Sequence, residues 1–160
     1  MPDIVSDGRT RAFWVTTIAN TLAPTTTELN AGIDLTTFLT ADGLMGLQPD
    51  TATVDTSALS SVFNTAVAGR VSFSNTRLRL KRQSGTDTVF NTLSVISTSG
   101  YLVVRRSITY STAWASSQSI EVYPGITGAI ARVDPEPNSV ERYEIPIIIN
   151  ASAVLVTTVA

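Results

Sequence analysis

Cysteine and histidine are both absent from this 160-residue chain. Without cysteine there is no disulfide staple, so the fold must stand on its own core or on its partners. The two absences together remove the usual ligands of zinc and iron–sulfur sites. They also remove the imidazole of a Ser-His-Asp triad and the thiolate nucleophile. Lysine is nearly missing: Lys81 is the single one among eleven basic residues. Because lysine commonly blunts the edge strands of monomeric β-proteins, its scarcity points to edges covered by other chains; codon bias in a GC-rich genome would leave the same trace. Charged residues are few, 15% of the chain, with a net charge of −2. That balance offers no counterion-release grip on nucleic-acid phosphate. No apolar run approaches the ~20 residues of a membrane helix, and no signal-peptide pattern is present. The expectation is a soluble protein, made in the cytoplasm, with no cofactor, no metal and no membrane role.

The remaining catalytic options fail one by one. A Ser-Lys dyad would have to use Lys81, inside RLRLKR, where no supporting motif surrounds it. Glu141 and Glu144 fall on opposite faces of a strand and cannot flank one substrate. Asp134 and Glu136 lie in a DPEPN stretch and read as solvated loop charges. Gly125 and Gly128 lack the strand–turn–helix context of a phosphate loop, and Asp42-Gly43 alone falls short of a calcium loop. The sequence does not read as an enzyme.

What is present is apolar. Hydrophobic residues make up 43% of the chain, enough for one domain with a real core. Most of it reads as β-structure. Arg9–Ile18, Asp34–Leu39, Val71–Phe73, Arg77–Arg82, Tyr101–Arg106, Ser119–Tyr123, Ile126–Val133, Glu141–Ile149 and Ala153–Val159 are strand candidates, rich in β-branched and aromatic residues. Ala41-Asp42-Gly43 and Pro124-Gly125 read as turns, and Pro146 marks an edge or a bulge. In RLRLKR, Leu78 and Leu80 share one face while Arg77, Arg79 and Lys81 share the other, which reads as a solvated or ion-paired face rather than a nucleic-acid patch. Ser107–Ser117 reads as a long connection anchored by Trp114. Two helical signals interrupt the strands. Thr25 and Glu28 have the spacing of a capping box for a single turn. Asp87 sits where a carboxylate caps a helix carrying Val89, Phe90 and Leu93 on one stripe. The final strand is apolar on both faces, which predicts either the middle of a sheet or a subunit contact.

One stretch resists assignment. Between Leu44 and Gly69 the apolar residues Leu44, Leu47, Val54, Leu59, Val62, Phe63 and Val67 follow no single period, although a fragmentary strand is discernible at Ala52–Asp55. Loops beyond ~12–15 residues are uncommon in compact domains unless functional or disordered. The segment reads either as a surface that orders on contact with a partner or as an ordinary surface Ω-type loop. Its seven apolar residues are the candidate contact set.

In order along the chain, the N-terminal strand into ELNAGIDLT (Glu28–Thr36), GTDTVFNTL (Gly85–Leu93), GYLVVRRS (Gly100–Ser107), AWASSQSIEVYPGITG (Ala113–Gly128) and ERYEIPIII (Glu141–Ile149) resemble the major tail (tail tube) proteins of long-tailed, siphovirus-type bacteriophages of actinobacterial hosts. The match covers nearly the whole chain and rests on order and spacing, since none of these is a catalytic motif. The resemblance implies a mainly β fold, an antiparallel β-sandwich or barrel with one flanking α-helix, over a single domain spanning residues 1–160. It implies a homo-oligomer of hexameric rings stacked into a virion tail tube, assembled in the host cytoplasm. The implied partners are a tape-measure protein and transiting double-stranded DNA, both held without tight binding, and tail initiator and terminator proteins. The long segment at about 44–69 falls where the family's inter-ring loop would be. Six subunits giving about four strands each, at ~4.8 Å spacing, make a ring roughly 37 Å across before strand tilt, wide enough for duplex DNA. Two other functions remain open: a head–tail joining or tail-terminator ring, and a carbohydrate- or protein-binding β-sandwich using Trp14, Trp114 and Tyr110 as stacking surfaces.

Overall fold

The computed structural model describes residues 3–160. In chain order they form β1 (Arg11–Val15), α1 (Thr26–Asn30), β2 (Ile33–Asp34), β3 (Leu39–Met45), β4 (Pro49–Asp55), β5 (Ala66–Phe73), β6 (Arg77–Lys81), α2 (Thr88–Leu93), β7 (Ser99–Arg105), β8 (Ser119–Thr127), β9 (Ala131–Arg132), β10 (Arg142–Ile149) and β11 (Val154–Thr158). Nine strands join one antiparallel sheet in the order β2-β1-β7-β8-β10-β6-β3, with β11 also on β8 and β9 also on β10. β4 and β5 pair only with each other. The fold is therefore mainly β and antiparallel, with two short helices on a curled sheet.

The curl turns on two prolines. β10 pairs with β6 from Arg142 to Pro146 and with β8 from Ile147 to Ile149. Its other edge carries β9 at Tyr143 and Glu144 before β8 takes over. Pro146 lies in that handover, and its carbonyl accepts from the Gly128 amide at 2.8 Å. Pro124 does the same on β8, between the end of β11 pairing at Val122 and the start of β10 pairing at Gly125. Its carbonyl accepts from Asn150 N–H, so its missing N–H points into the gap between partners. The turn expected at Pro124-Gly125 is thus continuous strand. Gly125 is opposite Gly100 in β7; a Cβ on Gly100 would lie 2.6 Å from the Trp14 ring, so the indole is packed directly on backbone there.

Three other boundaries differ from expectation. The strand read at Asp34–Leu39 is a two-residue β2, a turn and the start of β3. Ala41-Asp42-Gly43 lies inside β3 as a bulge, where the register against β6 shifts between Leu39 and Leu44. Ile126–Val133 divides between the end of β8 and β9.

The halves of the curled sheet enclose the main core. Trp14, Leu102, Val104 and Tyr123 from β1, β7 and β8 meet Leu78, Leu80, Tyr143 and Ile145 from β6 and β10, and Val89 and Leu93 of α2 close one end. A second core covers the other face of β1, β7 and β8, where Phe13, Val103 and Val122 pack under Leu29 of α1 and Trp114. Trp114 meets Phe13 edge-on at 5.3 Å, the anchor expected for the Ser107–Ser117 connection.

Both helix caps form as read. Thr25 accepts from Glu28 N–H while the Glu28 carboxylate returns to Thr25 N–H at 2.8 Å. Asp87 is almost fully buried and accepts from the Phe90 amide (2.9 Å), the Gln83 amide (2.9 Å) and Arg82 (2.8 Å). Burial pushes its pKa up, but these hydrogen bonds and the Arg82 charge together hold it below the ordinary aspartate value. A depressed folded-state pKa gives stability present above the unfolded value near pH ~4 and lost as pH falls through the folded value. Asp87→Ala is expected to cost about 2 kcal/mol at neutral pH, and less at an acid pH below its lowered folded-state pKa, where the carboxyl is protonated. Urea titrations of both proteins at the two pH values measure it; equal costs at both would contradict the assignment.

The basic face of RLRLKR is ion-paired. Glu144 accepts from Arg79 at 2.7 Å and Arg77 at 3.2 Å, and Arg79 reaches on to Asp42 at 2.7 Å. The hydrogen bond from Arg79 leads the causes that lower the Glu144 pKa, against its partial burial.

Candidate assembly interface

The segment with no readable period is a β-hairpin. All seven residues of β4 are exposed, and most of β5 is too. Val54 and Val67 are cross-strand partners on one face. The register shifts between Thr51 and Thr53, so Val71 and Phe73 fall on the opposite face. A hairpin exposed on both faces needs no alternation of polar and apolar residues, which is why no period appears in the sequence. A pair of strands alone is marginal in water, and this pair packs on nothing along most of its length.

The tip spans residues 56–65. Its hydroxyls serve its own backbone: Ser57 Oγ accepts from Thr65 N–H at 3.0 Å, Ser61 Oγ accepts from Ala58 N–H at 3.0 Å, and Asp55 accepts from Ser57 N–H at 2.8 Å. That last bond leads the causes lowering the Asp55 pKa. With the backbone satisfied locally, the apolar side chains are left outside: Leu59 is 107% exposed, Val62 105% and Phe63 76%.

The structure divides the seven-residue candidate set. Leu47 is buried and Leu44 half-buried against the main core, so neither is free for a partner. They hold the hairpin's root, together with Phe73, whose ring meets Tyr123 edge-on at 5.8 Å. Val54, Leu59, Val62, Phe63 and Val67 are all exposed. The final strand, expected in mid-sheet or at a subunit contact, is not in mid-sheet, and its residues stood outside the seven-residue set. β11 lies at an edge of the sheet with Val156 85% exposed and Leu155 partly so. The signal was there in a final strand apolar on both faces.

Between the hairpin's root and the β10–β11 connection lies a groove of about 690 Å³. Phe73, Ile149 and Ala153 rest on the core along it, and Val71 and Leu155 line it further out. Arg70 is its one charged residue and forms no ion pair among the described residues.

The aromatic stacking surfaces considered from sequence do not exist as such. Trp14 and Trp114 are buried, leaving Tyr110 the one ring of the three at the surface. Among the described residues no group of three His, Cys, Asp or Glu side chains could hold a metal ion, and no helix is long and apolar enough to cross a membrane.

A family model described as phage tail tube protein matches residues 1–160. No curated protein matches the sequence. Among solved structures, a chain in the 6-fold symmetrised cryo-EM structure of the anti-feeding prophage (AFP) baseplate is similar in fold. The TM-score is 0.65 at 11% identity, with 98% of each chain covered.

Proposed function

The chain belongs to the phage tail tube protein family, and from that premise we propose that its copies assemble into hexameric rings stacked as the tail conduit through which the genome leaves the virion. As a tail tube protein it is a structural component of the virion tail. The observation that carries the finer reading is the β4–β5 hairpin, a two-stranded ribbon with both faces exposed and an apolar tip. Such surface is stabilised by covering it, and a copy of the same chain is the partner present in every virion tail. The exposed apolar edge at β11 adds a second surface for lateral neighbours. A net charge of −2 and an ion-paired basic face suit a channel that lets phosphate pass without gripping it. The tape-measure protein, initiator and terminator belong to this reading as partners, with assembly in the host cytoplasm.

Negative-stain electron microscopy of the purified protein, alone and with its tail initiator, tests it. Stacked rings or tubes are expected. Single rings that never stack would favour a joining or terminator role, and a persistent monomer under all conditions would refute ring assembly.

A further inference from the structure

We propose that Glu144 and Asp42 mask a latent phosphate-binding face, holding Arg77 and Arg79 so that nucleic acid passes without being gripped, and that this face lines the bore. The inference deepens the tube reading and rests on it for the identity of the passing ligand.

The main sheet has one broad face that its own chain leaves open. In β7 and β8 consecutive residues are buried, because core lies on both sides. In β6 and β10 buried residues alternate with half-buried ones. The register pairs Lys81 with Arg142, Arg79 with Glu144 and Arg77 with Pro146 on the side away from the core. Ala131 of β9 lies opposite Glu144 on that side and is exposed. A water-filled channel needs a wall that is dry behind and polar in front. Among the described residues of the main sheet, β3, β6, β10 and β9 make that wall.

The face has the chemistry to hold phosphate. Guanidinium forks match phosphate oxygens two at a time, and Arg77, Arg79, Lys81 and Arg142 stand on two paired strands. Carboxylates already occupy all three arginines. Glu144 divides its oxygens: Oε1 accepts from Arg79 Nε at 2.8 Å and Oε2 from Arg77 at 3.2 Å. Arg79 also donates to Asp42 at 2.7 Å, and Arg142 to Glu136 at 2.5 Å. Lys81 forms no ion pair among the described residues, and it is a single point charge without the fork. A phosphate arriving at Arg77 and Arg79 must displace Glu144 and leave that carboxylate beside its own negative charge, so the exchange offers no net attraction.

The full-length subunit carrying Glu144→Gln and Asp42→Asn tests the mask. Fluorescence anisotropy with a duplex DNA probe is expected to show affinity about tenfold or more above wild type at low salt, with the slope of log affinity against log salt steeper by about two, one for each uncovered arginine. Adding Arg77→Gln and Arg79→Gln should return binding to the wild-type level. Asp50→Asn/Asp55→Asn, which changes the net charge equally on the hairpin, should gain nothing. A folded double variant with unchanged affinity, or an equal gain from the hairpin variant, would overturn the mask. If the double variant does not fold, Glu144→Gln alone decides. It leaves Arg77 without a carboxylate, and no gain in binding would overturn the proposal.

Placement in the bore is read separately. The native chain has no cysteine, so Ala131→Cys puts a single thiol on the face. In the free subunit a small maleimide and one carried on a bulky polymer should both react. In assembled tubes the small one should still react, and the polymer, too wide to enter, should not. Equal labelling of tubes by both would set the face on the outside and overturn the placement. The DNA measurement uses the free subunit, so the absence of tubes by electron microscopy would refute the tube reading and the placement while leaving the mask to its own result.

Discussion

Replacing Thr53–Ala66 with a two-residue Asn-Gly turn is expected to leave a folded subunit that no longer polymerises. The replaced residues include the cross-strand partners Asp55 and Ala66, Val54 (the partner of the retained Val67) and the tip. All are exposed, apart from half-buried Ser57. The residues that root the hairpin, Leu47 and Phe73, lie outside the deletion and keep their packing on the core. In the existing register Asn-Gly, with Val67 and Ala68, closes the shortened ribbon as a four-residue loop between Ala52 and Gly69. Because no core side chain is removed, the change in unfolding free energy is expected to stay within about 1 kcal/mol. The assembly effect, in contrast, should be near total: the three most exposed apolar side chains of the hairpin, Leu59, Val62 and Phe63, are gone, and anchors of this kind carry most of an interface's energy. Thermal unfolding followed by circular dichroism gives the first quantity and electron microscopy the second. Loss of the folded state would identify the hairpin as part of the core. Tubes formed normally by the deleted protein would remove it from assembly.

Arg105 carries the second large effect. It is fully buried at the end of β7, and no carboxylate among the described residues pairs with it. Its guanidinium instead donates to the carbonyls of Thr109 (2.9 Å), Thr112 (2.9 Å) and Ala113 (3.2 Å), and to Gln118 Oε1 (2.8 Å). The charge also lies 5.0 Å from the Trp114 ring centroid. Burial, with the nearby Arg11 charge, lowers its pKa from the usual arginine value. One side chain thus gathers the connection between β7 and β8 and sets Trp114 over the second core. Arg105→Met is expected to destabilise the fold by about 3 kcal/mol or more, because three backbone carbonyls of the connection and Gln118 lose their shared donor at once. Arg105→Lys should recover part of this, since an ammonium supplies three donors without the planar fork. Chemical denaturation with tryptophan emission as the signal measures both. A loss under about 0.5 kcal/mol for Arg105→Met would show that the connection holds its shape unaided.

What the sequence made legible was local. The Thr25–Glu28 box and the Asp87 cap involve groups three residues apart, so their spacing alone announces them. The alternation in RLRLKR placed Leu78 and Leu80 inside because one face of β6 is buried and the other is not. Pro124 and Pro146 were harder. Proline argues against a central strand, and each lies in one, at the single position where the neighbouring strand changes. That exception depends on β9, β11 and their registers, which are long-range facts. Asp42-Gly43 misled for a similar reason, since a bulge uses the residues of a turn. The hairpin was illegible because period reports one-sided burial and it has none. Its apolar residues were visible as a set, but Leu44 and Leu47 could not be separated from Leu59 and Phe63 without knowing where the ribbon leaves the core.

Amide hydrogen exchange, compared between the free subunit and the assembled polymer, tests the central claim most directly. Residues 50–72 should exchange rapidly in the free protein, as an uncovered two-stranded ribbon must. On assembly the same residues should become strongly protected, while β7 and β8 stay protected in both states. Protection of the hairpin already in the free subunit, or exchange there unchanged by assembly, would contradict the account.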